Sequence, residues 1–279
     1  MTVDVEDYFQ VSGFEGVVPR DSWSSYESRV AANTDRVLAL LDEAGVRATF
    51  FVLGWVAERY PQVVKRIAAA GHALASHSYW HRLVYDLTPA EFREDLRRAK
   101  DAIESVAGRR VRGFRAPSFS IVERSFWALD VLVEEGYEYD ASIFPIRHDR
   151  YGVPTAPRAP HVLQRGSGAL LEVPATAAKV GPLTLPLGGG YFRLMPYRLT
   201  RLAIRQTNDR DGRPAMFYIH PWEFDPDQPR IPAPLVSRLR HYNQLGRTAD
   251  RFRRLLRDFR FGPVEDVVLA GAALQGGTA

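Results

Sequence analysis

The sequence predicts an α/β fold of mostly parallel strands joined by crossover helices, and three observations carry that expectation. Short runs of β-branched and aromatic residues alternate with segments whose apolar residues recur at helical spacing. Several of the helical segments stop at a glycine, and strand followed by helix, repeated, implies parallel pairing. The 279 residues suit one large domain or one domain with a modest extension. Hydrophobic residues at 46% and charged residues at 25% are ordinary for a globular chain that buries a sizeable core.

The chain opens on a strand, Thr2-Val3-Asp4-Val5, that runs into Glu6-Asp7. Residues 8–28, rich in aromatic, Gly and Ser residues without a period, read as a loop near a site. Residues 33–44 carry Val37, Leu38, Leu40 and Leu41 behind a cap-like Asn33-Thr34 and stop at Gly45, which predicts an amphipathic helix. A strand over 46–53 follows, then a helix over 61–70 ending at Gly71 and a strand over 72–76. Thr88-Pro89-Ala90-Glu91 combines an N-cap threonine, proline at the first helical position and glutamate at the third. That is a capping box, and it opens a helix to about Ala107. A strand around 111–114, a helix over 125–135 closed by Gly136 and a short strand over 137–140 complete the first half.

Residues 144–168 break the rhythm with Pro145, Pro154, Pro157 and Pro160 and read as a long irregular connection. Short strands are expected over 170–174 and 184–187. Gly188-Gly189-Gly190-Tyr191-Phe192-Arg193 reads as a flexible turn without the spacing of a phosphate loop. A helix over 196–208 and a strand over 215–219 lead to His220-Pro221-Trp222-Glu223. Residues 247–260 place Phe252, Leu255, Leu256 and Phe259 on one helical face, with Arg251, Arg253, Arg254 and Arg257 read as a solvated remainder.

Composition limits the function classes. Lys+Arg exceeds Asp+Glu by 37 to 33, a net +4 too mild to imply nucleic acid. With no cysteine, disulfides and thiolate sites are excluded, so any metal is held by nitrogen and oxygen. No apolar run is long enough to span a bilayer, and no leader pattern precedes the first strand, which sets a cytoplasmic location as the expectation.

His77-Ser78-Tyr79-Trp80-His81 sets two imidazoles four positions apart, the spacing that projects both from one face of a helical turn toward a single metal ion. Asp4, Glu6 and Asp7 add three carboxylates within four positions, a costly set of like charges unless a cation or a catalytic task holds it. Asp4-Glu6-Asp7, His77-His81, Arg115, Asp140 and His220 each lie at or just past the C-terminal end of an expected strand. In a parallel α/β sheet or barrel those ends converge on one rim.

These five clusters, in this order from Thr2 to His220, resemble the motifs of polysaccharide deacetylases of the NodB-homology type, carbohydrate esterase family four. The tail, from His241-Tyr242-Asn243 to Phe259-Arg260-Phe261, is similar to the C-terminal extension of the exosortase-associated branch. The resemblance implies a distorted (β/α) barrel over residues 1–225, a helical extension over 226–279 packed on it, and metal-assisted removal of acetyl groups from an N-acetylated glycan in exopolysaccharide production. Matched by motif, Asp4 is the catalytic base, His77 and His81 bind the metal, Arg115 orients the base, His220 is the acid and Asp140 tunes it. The family commonly has two adjacent aspartates, whereas Asp4-Val5-Glu6-Asp7 offers Glu6 or Asp7 as the third ligand. Strand alternation puts Asp4 and Glu6 on one side and favours Glu6. Zinc suits nitrogen and oxygen ligands, as do cobalt, nickel and manganese.

Two other readings compete. Two histidines and a carboxylate also serve non-haem iron oxygenases, which metal identity and oxygen dependence distinguish. A sugar-binding protein on the same fold would need no base and acid pair, and Asp4 with His220 argues against it. Tyr8, Phe9, Trp80, Tyr191 and Trp222 suit stacking on sugar rings, and core packing explains any one of them equally well.

Overall fold

The structure, a computed structural model, describes residues 1–269; the last ten residues of the expected extension lie outside that range. The chain runs β1 (Thr2–Val5), α1 (Val30–Glu43), β2 (Thr49–Val52), α2 (Gly54–Arg59), α3 (Pro61–Ala69), β3 (Ala73–Ser76), α4 (Pro89–Ala107), β4 (Gly113–Phe114), α5 (Trp127–Glu134) and β5 (Tyr139–Asp140). It continues through β6 (His161–Arg165), β7 (Gly168–Glu172), β8 (Ala177–Val180), β9 (Leu183–Pro186), α6 (Gly189–Leu194), α7 (Tyr197–Arg205), β10 (Tyr218–Ile219), α8 (Leu235–Tyr242) and α9 (Thr248–Asp258).

Eight strands form one sheet in the order β10-β1-β2-β3-β4-β5-β7-β6, parallel throughout except for the antiparallel β6–β7 pair. The barrel expected from the sequence is therefore a curled half-barrel, with β10 and β6 as its edges. One row of register partners crosses it: Val5 pairs with Val52, Val52 with Ser76, Ser76 with Phe114, Phe114 with Asp140 and Asp140 with Glu172. Glu6, His77 and Arg115 stand one position past that row, and His220 one position past Ile219. Parallel register thus gathers them on one rim.

Local chemistry accounts for most of the helices. Thr88 Oγ1 accepts from Glu91 N (3.3 Å) while the Glu91 carboxylate accepts from Thr88 N (2.8 Å), so the capping box forms as expected. α1 starts three residues before the expected cap, leaving Asn33 and Thr34 buried inside it.

Three elements differ from expectation. α2 is too short and too uniformly apolar in its first turn to show a period, and Gly54 is required there because a Cβ would lie 2.7 Å from Ala99 Cα of α4. Inside the stretch expected to be irregular, β6 pairs with β7 through the two-residue turn Gly166-Ser167. The triple glycine opens α6 instead of a flexible turn, with Gly188 at φ 101° and so close to β10 that a Cβ would lie 2.5 Å from Tyr218 O. The arginine face of α9 is likewise not wholly solvated, since Arg251 Nη1 donates to Phe192 O (3.1 Å) and Arg193 O (2.8 Å).

Candidate active site

Glu6, His77 and His81 are buried, and one ligand atom from each falls within 4.8 Å of the others. Their backbone setting differs from the helical turn expected from spacing. Residues 77–81 form an irregular loop with Ser78 at φ 66° and His81 at φ 52°. Asp95 of α4 clamps the loop by accepting from Tyr79 N (2.7 Å) and Trp80 N (3.0 Å), and Ser78 Oγ accepts from His81 N (3.1 Å). Tertiary hydrogen bonds, not helical periodicity, bring the imidazoles together.

His77 Nδ1 donates to Arg115 O (2.8 Å), which leaves the Nε2 lone pair facing the cluster. Burial lowers the His77 pKa to about 4, so the ring is neutral and able to act as a ligand. Burial opposes ionisation of Glu6, yet the adjacent His81 and the charge of His220 hold its carboxyl below the usual range. Glu6 Oε2 lies 2.6 Å from His81 Nε2 but takes part in no hydrogen bond, and His81 Nδ1 has none either. Two orphaned polar atoms beside a neutral imidazole, all nitrogen and oxygen donors, fit a divalent cation such as zinc.

Arg115, fully buried at the end of β4, donates from Nη1 to Asp4 Oδ1 (2.6 Å) and Thr2 Oγ1 (2.9 Å) and from Nε to Ala141 O (3.2 Å). These bonds fix the Asp4 carboxylate, whose Oδ2 lies 3.9 Å from His220 Nε2. His220 Nε2 is also 3.9 Å from Glu6 Oε1, which accepts from Trp222 Nε1 (3.1 Å).

The partner of His220 is not Asp140. His220 Nδ1 donates to Glu223 Oε1 (2.7 Å), and Glu223 Oε2 accepts from Arg193 Nε (2.6 Å). Arg193 is anchored in turn by His241 O and Asn243 O, each 2.7 Å from Nη1. Burial works against a charge on His220, but the Glu223 hydrogen bond and the negative charges of Glu6, Glu223 and Asp4 outweigh it and raise the pKa to about 9. Glu223 and Arg193 escaped the sequence reading, although a signal for Glu223 was present. Pro221 at a first helical position with glutamate two residues on is a cap pattern, and Glu223 Oε1 does accept from His220 N (3.0 Å).

Asp140 sits in β5, one strand beyond the one that delivers Arg115 and far along the sheet from β10. Its Oδ1 accepts from Ser142 Oγ (2.5 Å), and it faces Glu172 across the β5–β7 pairing. Burial raises the pKa of both carboxyls.

Asp7 also turns away from the cluster. Its Oδ2 accepts from Ser28 Oγ (2.7 Å), Arg29 N (2.9 Å) and Val30 N (3.1 Å), which caps the start of α1. Glu6→Gln is expected to lower zinc content about tenfold or more, whereas Asp7→Asn keeps the metal and costs on the order of 1–2 kcal/mol of stability. Metal analysis of the two purified variants beside a thermal melt checks this; equal metal loss would put Asp7 back among the ligands. Of the aromatics near the site, Tyr8 and Phe9 are core residues, while Trp80 and Tyr191 remain half-buried.

The chain resembles known proteins in two segments. Residues 19–139 match the polysaccharide deacetylase family model, and residues 141–269 match a domain of unknown function, DUF3473. The chain is 34% identical over 98 residues to a peptidoglycan-N-acetylglucosamine deacetylase of Bacillus cereus, covering 35% of this chain and 36% of that one. It is also 34% identical over 100 residues to a chitooligosaccharide deacetylase of a Bradyrhizobium species, covering 36% and 43%. The chain thus spans about half or less of the length of the curated relatives it matches. In fold it resembles the crystal structure of a provisionally assigned polysaccharide deacetylase from Mycobacterium smegmatis, with TM-score 0.64, 19% identity, and coverage of 99% of this chain and 90% of the other. Residues 19–139 thus resemble polysaccharide deacetylases in sequence, and the chain as a whole resembles one in fold.

Proposed function

We propose that the protein is a metal-dependent hydrolase that removes N-acetyl groups from an N-acetylated polysaccharide. The observation that carries this reading is the approach of one carboxylate and one imidazole, Asp4 and His220, to a buried trio of nitrogen and oxygen ligands. An amide is a poor electrophile with a poor leaving group, so its hydrolysis needs an activated water, stabilisation of the oxyanion and a proton donor. A divalent cation held by Glu6, His77 and His81, with zinc the best match to those donors, would supply the acidified water and polarise the carbonyl.

The chain's own residues do the rest. Asp4, oriented by the Arg115 hydrogen bond, takes the proton of the attacking water. His220, charged on Nε2 and held by Glu223, gives its proton to the departing sugar nitrogen. Similarity of the 241–243 and 259–261 segments to the exosortase-associated extension supports a role in exopolysaccharide production, by analogy of sequence.

Acetate release from N-acetylglucosamine oligomers by zinc-reconstituted protein tests the reading. Release is expected from the parent and is abolished in Asp4→Asn and His77→Ala. Release that survives chelation would remove the metal from the chemistry, and release that survives Asp4→Asn would remove the base.

A further inference from the structure

α8 is amphipathic in the wrong sense for a helix on a protein surface. At roughly 100° per residue, Ser237 and His241 share one face and Leu235, Val236 and Leu239 the opposite one. The polar face is the one turned inward: His241 is buried against Trp222, with ring centroids 4.0 Å apart, and Ser237 packs over Gly13. The apolar face is the one in solvent, with Leu235 67%, Val236 60% and Leu239 62% exposed. Arg238 and Arg240, both exposed, flank that stripe on either side.

The charge along this segment of the chain is of one sign. From Gln228 to Ala249 the chain contains Arg230, Arg238, Arg240 and Arg247 and no acidic residue. Among the described residues no carboxylate lies within 4.0 Å of Arg238 or Arg240, whereas Arg93, Arg97 and Arg112 are each paired with a glutamate.

We propose that this face of α8 docks on an anionic lipid surface, its leucines entering the boundary between headgroups and acyl chains and its arginines meeting lipid phosphates. The area favours a bilayer over a second protein. Three exposed aliphatic side chains offer at most about 100 Å² each. That is well short of the roughly 800 Å² per partner of a stable protein interface. A few inserted apolar residues with adjacent basic charges suffice for reversible attachment to a membrane surface. Because His241 stacks on Trp222, whose indole binds Glu6, docking sets the candidate site beside the lipid.

Cosedimentation of the full chain with vesicles tests the proposal, using phosphatidylcholine alone and phosphatidylcholine mixed with phosphatidylglycerol. Binding to the mixed vesicles is expected, weakening as salt is raised. Leu235→Ser/Leu239→Ser and Arg238→Ser/Arg240→Ser should each reduce it about tenfold or more, with the thermal melt unchanged because all four side chains are exposed. No binding to mixed vesicles, equal binding to phosphatidylcholine alone, or undiminished binding by either double variant would overturn it. So would a dimer in solution that Leu235→Ser/Leu239→Ser dissociates, which would give the face to a second copy of the chain. None of these readouts depends on acetate release.

Discussion

His220→Ala is expected to lower turnover on N-acetylglucosamine oligomers by about 10²–10⁴-fold while zinc content stays at that of the parent. The imidazole is no member of the ligand trio; it reaches the site from the edge strand β10 and is held from behind by Glu223. Glu223→Gln separates the proton donor's charge from its position. The amide can still bond to Nδ1, but a negative charge that favours the protonated ring is gone. With the folded pKa raised to about 9 from the usual 6.5, His220 is charged below that range and loses its proton as pH rises through it. Turnover in Glu223→Gln should therefore fall at lower pH than in the parent. Single-turnover rates of both variants across pH, beside metal analysis, check these outcomes. An unchanged rate in His220→Ala, or an alkaline limb that stays in place in Glu223→Gln, would take the pair out of the mechanism.

Arg193→Met is expected to produce the largest loss of stability, about 3–5 kcal/mol, because it removes the guanidinium from the buried Glu223 carboxylate and leaves His220 as its one cationic partner. Arg193 is 2% exposed and Glu223 is wholly buried, and the guanidinium also satisfies three main-chain oxygens of residues 240–243. At roughly 2–4 °C per kcal/mol for a domain of this size, the melting midpoint should fall on the order of 10 °C. Combining Arg193→Met with Glu223→Gln should restore part of the loss, since the buried charge is then gone. A midpoint that moves by less than about 2 °C would mean that water reaches Glu223 and that the ion pair is not a closed, buried one.

What the sequence by itself determined about this protein lies in short-range patterns. Thr88 and Glu91 announce the start of α4 because a capping box is chemistry between residues three apart. Alternating strand and helix signals imply parallel pairing, and parallel register carries whatever follows β1, β3, β4 and β10 to one rim. That is why Asp4, Glu6, His77, His81, Arg115 and His220 could be picked out as a group before any contact between them was visible. The same local logic fails where a short element carries no period, as in α2, or where prolines nearby mask a two-residue turn, as between β6 and β7.

Tertiary structure alone decided which of several similar side chains does what. Glu6 and Asp7 are adjacent in sequence, yet one enters the histidine cluster and the other caps α1, because α1 begins where its free N–H groups meet Asp7. Asp140 and Glu223 are both acids near strand ends, but Asp140 faces Glu172 in the next strand while Glu223 turns back onto His220. Arg193, in a stretch that reads as a flexible turn, becomes a buried anchor because Gly188 lets α6 pack against Tyr218. Apart from the His220–Glu223 bond, which closes over three positions, these contacts join partners 21 or more positions apart, and no short window along the sequence contains both halves of them.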